Sequence, residues 1–114
     1  MRRDEQYLRD ILLAGEEVAQ FVAGVDSASF VHDRMRQLAV LQLLVNVGEA
    51  SSRLSPETRA RSPDIGWSEV VAFRNFAVHV YFAVDWMTVW EAAVDDLPPL
   101  RAEVEQLLRL FEKE

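Results

Sequence analysis

Apolar residues recur at helical spacing along almost the whole chain, and this periodicity restricts the fold more than any other feature. Tyr7, Ile11, Ala14, Val18, Phe21 and Val22 follow one another at the three- and four-residue steps that put them on one face of a helix. Gly24 then stands where a left-handed C-cap belongs. "VDSAS" supplies turn and N-cap residues, and a second helix is predicted from about Phe30 to Leu54. Met35, Leu38, Leu41, Val45 and Gly48 spread over its wide apolar face. In "LSPETRARSPD", Ser55 caps a short turn with Pro56 at its first position, and Pro63 stops the chain again. A third helix starts near Trp67–Ser68. Asp85 reads as the N-cap of "WMTVWEAAV". "DDLPPL" interrupts, and Pro98 or Pro99 opens a last amphipathic helix through Leu107, Leu108 and Phe111. No β alternation between hairpin turns occurs anywhere. The pattern predicts an all-α, four- to five-helix antiparallel bundle with short loops, a single domain over residues 1–114.

Composition narrows the function. Half of the 114 residues are hydrophobic, and three Trp and six Phe are a heavy load for so small an interior. An apolar surplus of this kind predicts an oligomer. Without cysteine there are no disulfides, thiol nucleophiles or thiolate metal ligands. The two His lack HxxxH or HxH spacing, so no metal site and no cofactor are expected. No terminal run resembles a signal peptide or a membrane span, which predicts a cytoplasmic protein without membrane attachment. The net charge of −7 argues against DNA and general nucleic-acid binding. The charge is uneven, however. Residues 51–84 hold Arg53, Arg59, Arg61 and Arg74 against three acids, which leaves room for a local anion site.

One stretch stands out chemically. "RNFAVHVY", residues 74–81, sets Arg, Asn, His and Tyr inside an otherwise apolar helix, where unpaired polar groups are costly. Asn75 and His79 are i,i+4 neighbours, so the amide can orient the imidazole. Arg74 and Tyr81, seven apart, share a face. Arg74 and His79 diverge by roughly 140° about a regular helix axis. A bend, the reach of the Arg side chain or a second copy across a two-fold axis would bring them together. His exchanges protons near neutral pH, and Arg offers a planar fork to phosphate. Such a pair suits metal-free RNA cleavage by 2′-OH attack on the adjacent phosphorus. The bland reading makes His79 a satisfied structural residue, Arg74 an ion-pair partner of Glu69 or Asp85, and Tyr81 part of the core. His32 reads as solvated. Gly48 reads as a close helix contact, and Glu49 has an outside claim to a functional place.

With these residues quoted, the chain is identified by resemblance as a HepT-like toxin of the HEPN superfamily. "RNFAVHVY" resembles that family's Arg-x4-His-x-Tyr motif. "FVHDRMRQLAVLQLLVNVGEA" is similar to its second helix, "LSPETRARSPDIGWSEVVAFRN" to the approach to the motif, and "VYFAVDWMTVWEAAVDDLPPL" to its continuation. The resemblance spans nearly the whole chain in order. It implies the toxin of a bacterial toxin–antitoxin pair of type II/VII-like organisation. That toxin would be a metal-independent endoribonuclease with Arg74 and His79 catalytic and Asn75 supporting. It further implies a homodimer with the motif helices at a cleft between protomers. A minimal nucleotidyltransferase antitoxin would place AMP on Tyr81. Val80 departs from the polar residue common after the motif His. A second hypothesis keeps the nucleotidyltransferase partner but makes the chain a non-catalytic helical interaction module. A third makes it a structural dimer.

Overall fold

The computed structural model describes residues 2–79 and 84–113, with residues 2 and 74–79 described by their backbone alone. Its elements are α1 (Arg2–Val22), α2 (Ser27–Phe30), α3 (Arg34–Ser52), α4 (Pro56–Ala60), α5 (Trp67–His79), α6 (Trp86–Glu91) and α7 (Leu97–Glu112). A π-turn, Ala92–Asp96, joins α6 to α7. Among the described residues there is no strand, and the fold is the all-α, HEPN-like bundle that the periodicity predicts.

The helices start where short polar side chains can bond free backbone N–H groups. Asp26 accepts from the Ser29 N–H, Asp33 from that of Arg36, Ser55 from that of Thr58 and Asp85 from that of Met87. Pro56 takes the first turn of α4, where its missing N–H costs nothing. Gly24 has φ +72°, the left-handed cap expected after α1.

Contacts between distant residues fix the topology. Asp4 at the start of α1 bonds Ser55 just beyond α3, while Arg36 near the start of α3 donates to the Phe21 carbonyl at 2.9 Å. α1 and α3 are therefore antiparallel. α7 returns along α1: Arg9 meets Glu112 at 3.6 Å, and a Cβ on Gly15 would stand 2.7 Å from the Arg101 side chain. Only glycine admits that close approach. Leu8, Ile11 and Val18 of α1, Val40 of α3, Val89 of α6 and Val104 of α7 are fully buried between the helices, with Phe30 of α2 plugging one end.

Three expectations are corrected. The second helix begins at Arg34, because residues 27–30 form a separate turn that carries Phe30 into the core. Its buried face is Gln37, Val40, Leu44, Val47, Gly48, Ala50 and Ser51, whereas Met35 is 83% and Leu38 48% exposed. A helix flanked on one side only cannot bury its whole apolar circumference, and Phe21, 40% exposed, meets the same limit on α1. Finally, "DDLPPL" does not interrupt the helix. The π-turn widens the rod ahead of Pro98 and Pro99, and the helical path continues from Trp86 to Glu112. Proline breaks a helix by clashing with the carbonyl four residues back, and a widened turn moves that carbonyl away.

Candidate active site

The motif helix is held firmly at its start. Trp67 is buried, and its indole N–H donates to the Arg59 carbonyl at 3.2 Å. Arg59 in turn donates to the Ser51 carbonyl at 2.8 Å, so α3, α4 and α5 are tied in series. The Gly66 carbonyl accepts from the N–H groups of Glu69 and Val70, each at 3.0 Å, closing the first turn. Glu69 in that turn suits the positive end of the helix dipole. Val70 and Phe73 pack on the core and set the rotation of α5 about its axis.

From that anchor the backbone runs helically to His79. Arg74, Asn75 and His79 thus lie on one continuous helix. A regular helix separates Arg74 from His79 by about 7.5 Å of rise and about 140° of rotation. The bend that would bring them together within one helix is not seen up to His79. Tyr81, with Val80, Phe82 and Ala83, lies outside the described residues. Beyond them Asp85 receives the Met87 N–H at 3.0 Å and the Thr88 hydroxyl at 3.1 Å. Trp86 and Trp90 then pack against Phe30, at 6.4 and 5.2 Å between ring centroids. Arg34 stands over Trp86 at 5.9 Å.

The other basic residues of the middle segment are committed elsewhere. Arg53 pairs with Glu49 at 3.6 Å, Arg59 holds the Ser51 carbonyl, and Arg61 covers the Phe111 ring at 5.3 Å. They do not converge on an anion site. His32 is exposed in the turn before α3, as its sequence context suggests. Gly48 is buried in α3, in keeping with close helix packing. Among the described residues, no three His, Cys, Asp or Glu side chains stand close enough to hold a metal ion. No described helix is long and apolar enough to cross a membrane.

The polar centre that sequence reasoning missed is Asp4. Its carboxylate is 1% exposed and accepts the Ser55 N–H and the hydroxyls of Ser55 and Thr58. Burial alone would raise its pKa, but these hydroxyls and the backbone N–H outweigh burial and hold it below the ordinary aspartate value. The S-x-x-T spacing of Ser55 and Thr58 hints at a cap, but nothing local points fifty residues back to Asp4.

An all-α bundle with Arg, Asn and His on one buried-start helix defines a class of small helical ribonucleases. The family model for "Ribonuclease HepT-like" matches residues 11–107, and the chain belongs to the HepT-like ribonuclease family. Its enzyme class is endoribonuclease. The chain is 33% identical over 105 residues to a candidate RNase of Methanocaldococcus jannaschii, MJ1380, covering 91% of this chain and 96% of that one. It is 32% identical to the probable ribonuclease HepT of Thermococcus cleftensis, over 93% of this chain and 96% of the relative. A second M. jannaschii candidate RNase, MJ0125, is 30% identical over 98% of this chain and 97% of its own length. No solved structure matches the chain.

Proposed function

We propose that residues 1–114 act as one unit, the toxin of a bacterial toxin–antitoxin pair, and that it cleaves RNA without a metal. The observation that carries this reading is the continuous helix α5, which holds Arg74, Asn75 and His79 in one register inside a chain that matches a ribonuclease family over most of its length. His79 takes the 2′-OH proton or protonates the leaving oxygen. Arg74 stabilises the charge that develops on the phosphorane, and Asn75, four residues before His79, orients the imidazole. One chain offers one such His, and cleavage needs two proton transfers. A homodimer supplies the second copy and relieves the Arg–His divergence. The exposed Met35 and Leu38 on α3, the helix against which α5 packs, support such an interface.

In this reading the protein works in the cytoplasm. A minimal nucleotidyltransferase antitoxin adds AMP to Tyr81, two residues beyond His79. The added phosphodiester competes with RNA for Arg74, and the nucleoside blocks entry. The decisive experiment is cleavage of RNA by purified protein in EDTA, with His79→Ala as control. Cleavage abolished by chelation overturns the metal-free mechanism. No cleavage under any condition favours the non-catalytic interaction module. Mass spectrometry after incubation with the nucleotidyltransferase, ATP and magnesium tests Tyr81, and a label on another residue overturns that part.

A further inference from the structure

A cleft of about 380 Å³ opens between the start of α5 and the π-turn, a size typical of small-molecule sites. Val47 of α3, Val70 and Phe73 of α5 and Leu100 of α7 give it an apolar floor. Five carboxylates line it, and no basic residue does. Asp64 and Glu69 come from the loop and first turn of α5; Asp95, Asp96 and Glu103 come from the π-turn and α7. Asp95 and Asp96 both belong to the π-turn, a helix irregularity common at functional sites. Glu103 is fixed by the Ser62 hydroxyl, which donates to it at 3.0 Å.

The distribution of this charge selects the ligand. No three of these acids are near enough to share one metal ion, so a point cation would leave most of them uncompensated. An anion is repelled. A purely apolar guest would desolvate carboxylates without pairing them. What fits is a flexible chain of methylenes with separated positive charges. We propose that the cleft binds an aliphatic polyamine, its methylenes over Val70, Phe73 and Leu100 and its ammonium groups shared between the two acidic walls. This site is distinct from the residues assigned to RNA cleavage and does not depend on that reading.

Calorimetric titration of the whole protein with spermidine at physiological salt tests the proposal. Saturable binding of one spermidine per chain is expected. The double variant Asp95→Asn/Asp96→Asn should bind about tenfold more weakly or worse, as expected on losing charge-assisted contacts. Both side chains are exposed and Asp96 makes no capping bond, so the variant should melt at the wild-type temperature without ligand. Absence of saturable heat overturns the proposal, as does unchanged affinity in the double variant. Displacement by magnesium at equal charge would reduce the effect to counterion exchange and overturn it. Equal binding of hexylamine would assign the affinity to the floor alone, and tighter binding of a lysine-rich peptide would assign the cleft to a protein partner; either result overturns the polyamine site.

Discussion

The two ends of the bundle are built on opposite principles. At one end the start of α1, the end of α3, α4 and the start of α5 lock together through Asp4, Ser55, Thr58, Arg59 and Trp67. Their polar groups are buried and paired within the chain. At the other end α1 finishes and α3 and α6 begin, and Phe21, Met35, Leu38 and Met87 remain 40%, 83%, 48% and 41% exposed. Since α5 packs on α3 from an anchor beside the end of α3, it finishes towards this second end, at His79. One end is complete in itself. The other leaves apolar surface beside the proposed catalytic helix, where a second copy would cover it. The comparison teaches that the rigid anchor and the reactive part of α5 are about a dozen residues apart, so each can be broken separately.

The largest effect belongs to the reactive end. His79→Ala should lower the RNA cleavage rate by about 10²–10⁴-fold while the urea midpoint stays close to wild type. Arg74→Lys should be nearly as damaging, because a point charge does not replace the guanidinium fork. Rapid cleavage by both variants in a single-turnover assay would move the site elsewhere. Tyr81→Phe should keep most of the activity yet escape the nucleotidyltransferase.

At the anchored end, Asp4→Ala should cost about 1–3 kcal/mol, since it leaves the Ser55 N–H and two hydroxyls without their acceptor. Chemical denaturation measures this, and a loss below half a kcal/mol would show that water replaces the carboxylate. The same centre sets the response to acid. The carboxyls of Asp4, Asp26 and Asp33 are all held below their ordinary value in the folded protein. For Asp26 the Ser29 backbone N–H is the main cause, and for Asp33 the Arg36 side chain. Their contribution is therefore fully present above about pH 4, the unfolded value. It is lost as pH falls through the lower folded values. Asp4→Asn should flatten this dependence, and an unchanged slope of stability against pH between 5 and 2 would remove Asp4 as its source.

The smallest change in folding comes from the open end. Met35→Gln should alter stability by no more than about 0.5 kcal/mol, as for other exposed positions. It should nonetheless weaken self-association in light scattering. A wild-type monomer at micromolar concentration would remove the dimer from the proposed mechanism.

The sequence alone determined the helices, their caps at Ser55 and Asp85, the left-handed Gly24 and the motif on α5. These depend on residues within a few positions of one another, where periodicity and side-chain-to-backbone bonding act directly. It also carried the family, because the motif and its surroundings occur in order along the chain. Only the tertiary structure decided which face of α3 is buried, since Met35 and Leu38 are as apolar as Val40 and Leu44 and differ only in what packs beside them. It alone joined Asp4 to Ser55 and Thr58, carried α6 into α7 through the π-turn, and gathered five acids from two separated stretches around one cleft. Contacts across fifty residues depend on how helices rotate and cross, and short-range periodicity contains no record of that.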